Sequence, residues 1–164
     1  MGVEHTSEVS DLPRAGLLRR LAALLYDGFL VAAIWMLVGY LVLAVAGPDT
    51  SELVEGRVQT DPLVSNIIFI LMIATSAGFY IWFWTRSGQT LGMIAWRLKV
   101  LQTNNTLPGM QQSLLRFALA WPAFFIFGLG FLWLYIDPKG DTLHDRFSAT
   151  KVVVVPKSQN PFQK

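Results

Sequence analysis

Cysteine is missing from this 164-residue chain, which excludes a disulfide scaffold and any thiolate metal site. Charge is scarce: 15% of residues are charged while 53% are hydrophobic. A soluble domain carries about 25% charge, and a disordered chain needs low hydrophobicity with high charge. The composition fits neither. The mean hydropathy of +0.45 points the same way. The only histidines are His5 and His144, a poor basis for a zinc centre of three or four ligands. The net charge of +2 is small, so the pI near 9.1 carries no argument for nucleic acid. No Ser–His–Asp arrangement, P-loop or glycine-rich phosphate fingerprint is present. No enzyme, metal or cofactor is therefore expected, and no internal repeat is evident.

What the chain does have is long charge-free runs. Gly28 to Pro48, Pro62 to Thr85 and Phe117 to Ile136 hold no charged residue over 21, 24 and 20 positions. A helix that crosses the bilayer core needs about 20 apolar residues. A soluble core helix keeps a polar face, and the run Ile67 to Ala74 has none. An α-helical integral membrane protein follows. The first run is longer than the roughly 7–15 apolar residues of a signal peptide, and Ala44-Val-Ala46 is its only cleavage-like site. A retained helix is expected.

Charge sets the orientation. Arg14, Arg19 and Arg20 precede the first run, while the loop Asp49 to Asp61 carries four acids and only Arg57. Basic flanks stay in the cytoplasm, so the N-terminus is inside and this loop outside. The second run returns, ending in the belt-like Trp82-Phe-Trp84 before Arg86. From Arg86 to Arg116 there is no acid. The third run has two solutions. A single kinked crossing puts seven Lys and Arg inside and six outside, whereas a re-entrant hairpin puts twelve inside and one outside. The hairpin obeys the rule better and leaves the C-terminus cytoplasmic. Trp121-Pro122 and Gly128-Leu-Gly130 offer places to bend. Each arm would be about 15 Å long, and such a turn needs protein cover.

The fold expectation is two full transmembrane helices, a third apolar segment (re-entrant or kinked), an interfacial helix and two short cytoplasmic strands. The interfacial helix is Gln89 to Arg97, with apolar Leu91, Ile94, Ala95 and Leu98 at helical spacing and Trp96 as anchor. Leu98 to Leu101 and Lys151 to Val155 read as strands, and pairing would remove each other's bare edges. Residues 14–155 form the membrane domain. Residues 1–13 and 156–164 are expected to be disordered.

Asp27 stands where the first run begins. A carboxylate costs about 2.5–3.5 kcal/mol at the bilayer centre and less near its edge. Arg20 lies on the same helix face but about 10 Å away along the axis, so Asp27 wants a cation from another segment. Arg116 is the first candidate, ahead of Arg97, His144 and Arg146. The alternative is a solvated Asp27 that marks the helix start. Asp141-Thr-Leu-His144-Asp145-Arg146 reads as a hydrogen-bonded cap that ties the last strand to the bundle.

These residues carry a resemblance. Arg20 to Asp27 resembles the first-helix motif of the RDD family, named for one Arg and two Asp. Gly88-Gln-Thr90-Leu-Gly92 and Leu98-Lys-Val100 resemble its middle motif, and Leu114-Leu-Arg116 the start of its last apolar region. Asp137, Thr142-Leu-His144-Asp145 and Ala149 to Val153 resemble its closing motif. The match covers residues 14 to 155. Family members often carry Lys where this chain has Met93, so any role of that cation moves to Arg97. The resemblance implies a multi-pass protein of the bacterial inner membrane, with Arg20, Asp27 and Asp145 gathered on the cytoplasmic side. It implies no settled activity, although transport has been proposed for the family.

Two functions stay open, transport first and a scaffold as the alternative. In one, a small transporter uses Asp27 as the ion or proton carboxylate, with Arg20 and Arg116 setting its charge. Two crossings and a hairpin enclose too little space, so a homo-oligomer would be required. Ala32, Ala33, Gly39, Ala44, Ala46, Ala74, Ala77 and Gly78 would let its helices approach. In the other, a membrane scaffold or assembly factor uses Arg20, Asp27, Asp145, Arg116 and His144 as a structural clamp. The expected partners are the lipid bilayer, a second copy and other membrane proteins, not nucleic acid.

Overall fold

A computed structural model describes residues 12–125 and 129–156. His5, the Gly128 bend and most of the two termini expected to be disordered lie outside the described residues. The chain divides into two compact units: Gly28–Phe79, and the residues up to Asp27 together with those from Tyr80 onward.

Two long helices form from the first two charge-free runs. Helix α1 spans Leu17–Ala46 and helix α2 spans Pro62–Arg86. At 30 and 25 residues both exceed the span of a bilayer core. Their most apolar windows are only 6% and 11% buried. A core helix of a soluble protein would be mostly covered, so these apolar surfaces face something other than protein in this chain.

In the Gly28–Phe79 unit the acidic loop is structured. Strands β1 (Ser51–Val54) and β2 (Arg57–Thr60) pair antiparallel. Glu55 and Gly56 turn between them with φ of 51° and 76°, the left-handed pair that a two-residue hairpin requires. Asp61 then caps α2. Its Oδ1 accepts Leu63 N–H at 2.8 Å, and Pro62 opens the helix where no N–H is needed. Between the helices, Trp35 Nε1 donates to Ser76 Oγ at 2.9 Å and to the Met72 carbonyl at 3.0 Å.

The other unit is built on a small sheet. After α2 come helix α3 (Leu91–Ala95), strand β3 (Leu98–Gln102), helix α4 (Met110–Phe125) and helix α5 (Leu129–Leu132). A short 3-10 turn at Trp133–Tyr135 precedes helix α6 (Leu143–Phe147) and strand β4 (Thr150–Val154). Strands β3 and β4 pair antiparallel, from Leu98↔Val154 to Gln102↔Thr150. The other edge of β4 is covered by the N-terminal segment. Val154 N donates to the Pro13 carbonyl at 2.8 Å and Ala15 N to the Val152 carbonyl at 3.0 Å. Val100 and Val153 are fully buried, and Leu98 is 1% exposed.

The expected interfacial helix is shorter than its apolar spacing suggests. Thr90 caps it, and Arg97, at φ 57°, turns the chain into β3. Trp96 meets Tyr26 edge-on at 6.4 Å. Trp84 is not a belt residue: it is 7% exposed and lies under the Arg116 guanidinium at 5.2 Å. Trp82 keeps the exposed role, with Arg86 over its ring at 4.7 Å. Both ends of the third apolar run meet α6. Arg116, before the run, binds Asp145, and Asp137, after it, binds Arg146 at 3.0 Å.

Leu98 is the largest side chain among the fully buried ones. Its replacement by Ala should cost about 2–5 kcal/mol. Thermal unfolding of the detergent-solubilised protein would register this as a lowered midpoint, whereas Leu53→Ala, on the exposed β1, should leave it unchanged.

Candidate functional site

Arg20, Ala23 and Asp27 occupy one face of α1, at i, i+3 and i+7 spacing. They are 7%, 2% and 2% exposed, and the two charged residues serve different centres.

The first centre is the Asp145 carboxylate, 0% exposed at the start of α6. Arg20 Nη1 donates to its Oδ2 at 2.5 Å, and Arg116 Nη1 donates to Oδ1. The Thr142 backbone N–H donates to Oδ2 at 3.2 Å. Thr142 is the N-cap and Asp145 the third helical residue, so the two make a capping box. Both arginines are held from behind. Arg20 Nε donates to the Ala15 carbonyl at 2.9 Å, and Arg116 Nη1 also reaches Thr150 Oγ1 at 2.8 Å. Burial alone would raise the Asp145 carboxyl, but the Arg116 and Arg20 charges outweigh it and hold the group well below the usual carboxylate range. Next to it, burial and then the Arg116 charge push the His144 imidazole down to about 3. The ring is therefore neutral, set against Thr142 Oγ1 at 3.1 Å and edge-on to Phe131 at 4.9 Å.

The second centre is Asp27. Thr90 Oγ1 donates to its Oδ2 at 2.5 Å, and Gly92 N–H donates to Oδ1 at 2.8 Å. A Cβ at Gly92 would stand 2.3 Å from the Ala23 carbonyl oxygen, so only glycine lets α3 lie this close to α1. Gly88 is required too: it has φ 74°, and its Cβ would meet the Val100 carbonyl at 2.7 Å.

The expectation of a single cluster with Asp27 paired to Arg116 is therefore corrected. Arg116 belongs to Asp145. Asp27 is satisfied by the hydroxyl and free amide at the start of a short helix, which present positive dipole ends without a charge. Of the expected residues, Arg20, Arg116, Asp145, His144 and Thr142 come together at the first centre, and Asp27, Thr90 and Gly92 at the second. Gly88 shapes the turn before α3. Thr150 and the Ala15 carbonyl were missed. Nothing about a threonine in a β-run or a backbone oxygen before a helix marks either in the sequence. Among the described residues, no group of three His, Asp or Glu side chains could hold a metal ion.

Removing the shared acid strands two guanidiniums. Asp145→Asn should cost about 3–5 kcal/mol, seen as loss of the monodisperse peak in detergent size exclusion. Replacing Asp145, Arg20 and Arg116 together by Leu, Met and Met should recover part of that loss. Protonation acts in a defined direction. The folded His144 pKa, about 3, lies below the unfolded value of 6.5. The unfolded chain then binds more protons in that window, so stability falls as pH drops from 6.5 toward 3. Melting midpoints at pH 7.5, 6.0 and 5.0 should fall in that order, and His144→Asn should flatten the trend.

The RDD family model matches residues 14–149. Neither a curated protein nor a solved structure matches the chain. The matched stretch takes in both carboxylates, both arginines and both short helices, and on it this chain belongs to the RDD family.

Proposed function

We propose that this RDD-family membrane protein is a non-catalytic scaffold or assembly factor whose Arg20–Asp145–Arg116 clamp holds a fixed arrangement of segments. The observation that carries this reading is that both carboxylates are sealed. Asp145 is 0% exposed between two guanidiniums, and Asp27 is 2% exposed with both oxygens bonded. An ion path needs a carboxylate that its ion can reach. The polar clamp suits a role in which position matters, since buried polar groups fix an arrangement at some cost in stability.

In this reading α1 and α2 cross the bacterial inner membrane, with β1 and β2 outside. Residues 117–136 enter and return as a hairpin, which the meeting of Arg116 and Asp137 on α6 supports. Twelve of the thirteen Lys and Arg then lie on the cytoplasmic side, with both termini. The chain assembles as a homo-oligomer through small residues of its spans. A Cβ at Gly39 or Gly78 would meet no atom within 4 Å, which leaves those faces open to a second helix. One observation favours transport instead. Asp27 is held by a hydroxyl and an amide, not by a guanidinium, so no fixed cation neutralises it.

Ion flux in proteoliposomes separates the two. The scaffold reading expects flux no higher than in empty vesicles, for wild type and for Asp27→Asn. Flux that Asp27→Asn abolishes would establish transport. For topology, single cysteines replacing Ser51 and Ser158 should label oppositely with an impermeant reagent on intact cells. Labelling of both would overturn the hairpin.

A further inference from the structure

The helix–strand segments that follow α2 and α5 are alike at an offset of 52 residues. Gly88, Thr90, Leu91, Lys99 and Val100 recur as Gly140, Thr142, Leu143, Lys151 and Val152. The backbones recur as well. The two glycines have φ of 74° and 69°, and the residues that turn into the strands, Arg97 and Ala149, have 57° and 52°. The capping threonines sit at φ, ψ of −79°, 172° and −78°, 167°. Hydrogen bonds repeat with them: Ile94 N to Thr90 O at 2.9 Å matches Arg146 N to Thr142 O at 3.0 Å, and Trp96 N to Gly92 O at 3.2 Å matches Ser148 N to His144 O at 3.1 Å.

The two copies also face each other symmetrically. In the sheet, Val100 pairs with its own counterpart Val152, and Leu98↔Val154 mirrors Gln102↔Thr150. At the ends, Thr103 N donates to the Ala149 carbonyl while Val155 N donates to the Arg97 carbonyl. Exchanging the copies turns each bond into the other. This is the pattern of a local two-fold axis through the Val100–Val152 pair. An antiparallel pair of identical strands allows such an axis naturally, because its two directions are equivalent.

Among the positions where the copies differ, one bears on charge. The third helical residue is Asp145 in the second copy and Met93 in the first. The first copy nonetheless has a carboxylate at its helix start: Asp27, delivered by α1 to Thr90 Oγ1 and Gly92 N. The second copy is tied to the same face of α1 by the opposite charge, since Arg20 holds Asp145.

We propose that residues 88–102 and 140–154 are two copies of one capped helix–strand unit, and that Asp27 supplies to the first copy the carboxylate that the second carries as Asp145. Helix α1 then docks both copies on one face, with a cation toward the copy that has its own acid and an acid toward the copy that lacks one. The inference does not depend on whether the protein transports anything.

Moving the carboxylate tests it. Asp27→Asn leaves the first copy without an acid, and Met93→Asp in the wild-type background sets two acids at one helix start. Each should lower the yield of monodisperse membrane protein about 5-fold or more, a factor that one or two kcal/mol produces. Combined, they return one acid to the third helical position, and the yield should come back to within about two-fold of wild type, since coupled changes are not additive. Hydrogen exchange read on the folded fraction keeps the test valid if yields stay low. The 88–96 segment should exchange about 10-fold faster in Asp27→Asn and regain protection in the double variant. Restored protection upholds the inference whatever the yield. A double variant whose segment is no better protected than the worse single one overturns it, even if the yield recovers.

Discussion

The Asp145 carboxylate is the point on which the sheet-bearing unit depends. It binds a guanidinium from α1, a guanidinium from α4 and the backbone at the start of its own helix. The first of these joins residues 125 apart in sequence and the second residues 29 apart. The Arg14–Asp141 ion pair, at 3.1 Å, adds a second tie between the N-terminal segment and the approach to α6. The unit's sheet has two paired strands and one bridged edge segment, and a two-stranded sheet is marginal by itself. A buried carboxylate in poor surroundings would weaken the fold. Here its oxygens accept from charged or backbone donors, so the desolvation cost is offset and removing any one partner exposes it.

The same logic governs the Gly28–Phe79 unit. Between apolar helices in lipid there is little hydrophobic drive to associate, because the lipid tails are as apolar as the side chains. What fixes α1 against α2 there is polar: Trp35 Nε1 with Ser76 Oγ and the Met72 carbonyl. The serine hydroxyl is itself anchored, donating to the Met72 carbonyl at 2.7 Å. A large apolar side chain with one N–H supplies both contact area and direction.

Some of this was legible in the sequence and some was not, for physical reasons. Charge-free runs announce long helices because length and apolarity are local properties, and α1 and α2 begin and end within a few residues of their charged flanks, apart from the early start of α1 at Leu17. The Val-rich run before Pro156 and the Leu98-Lys-Val100 stretch are equally local. The edge segment Pro13–Ala15 is different. It has no alternating pattern, and its bonds to β4 are backbone to backbone, which any residue can make. The β1–β2 hairpin was hidden because Glu55-Gly56 is a weaker turn signal than Asn-Gly. Charge balance points Asp27 to a cation, whereas an amide and a hydroxyl meet the need. The duplication is faint in the sequence because its signature is a handful of separated identities, and only shared dihedrals and exchanged hydrogen bonds make them significant.

The position after the leucine in each copy shows how two like units come to do different work. In the first copy it is Gly92, and the missing side chain lets the Ala23 carbonyl come within 2.3 Å of where a Cβ would stand. In the second it is His144, whose neutral ring fills that place against Phe131 and Thr142. Glycine therefore gives the first copy direct backbone contact with α1, and there Asp27 of α1 supplies the acid. The second copy, with a ring at that position, is tied to α1 by the long Arg20 side chain reaching an acid that the copy carries itself. The two copies thus meet α1 by different means: the first through close backbone approach and Asp27, the second through its own Asp145 and the Arg20 guanidinium.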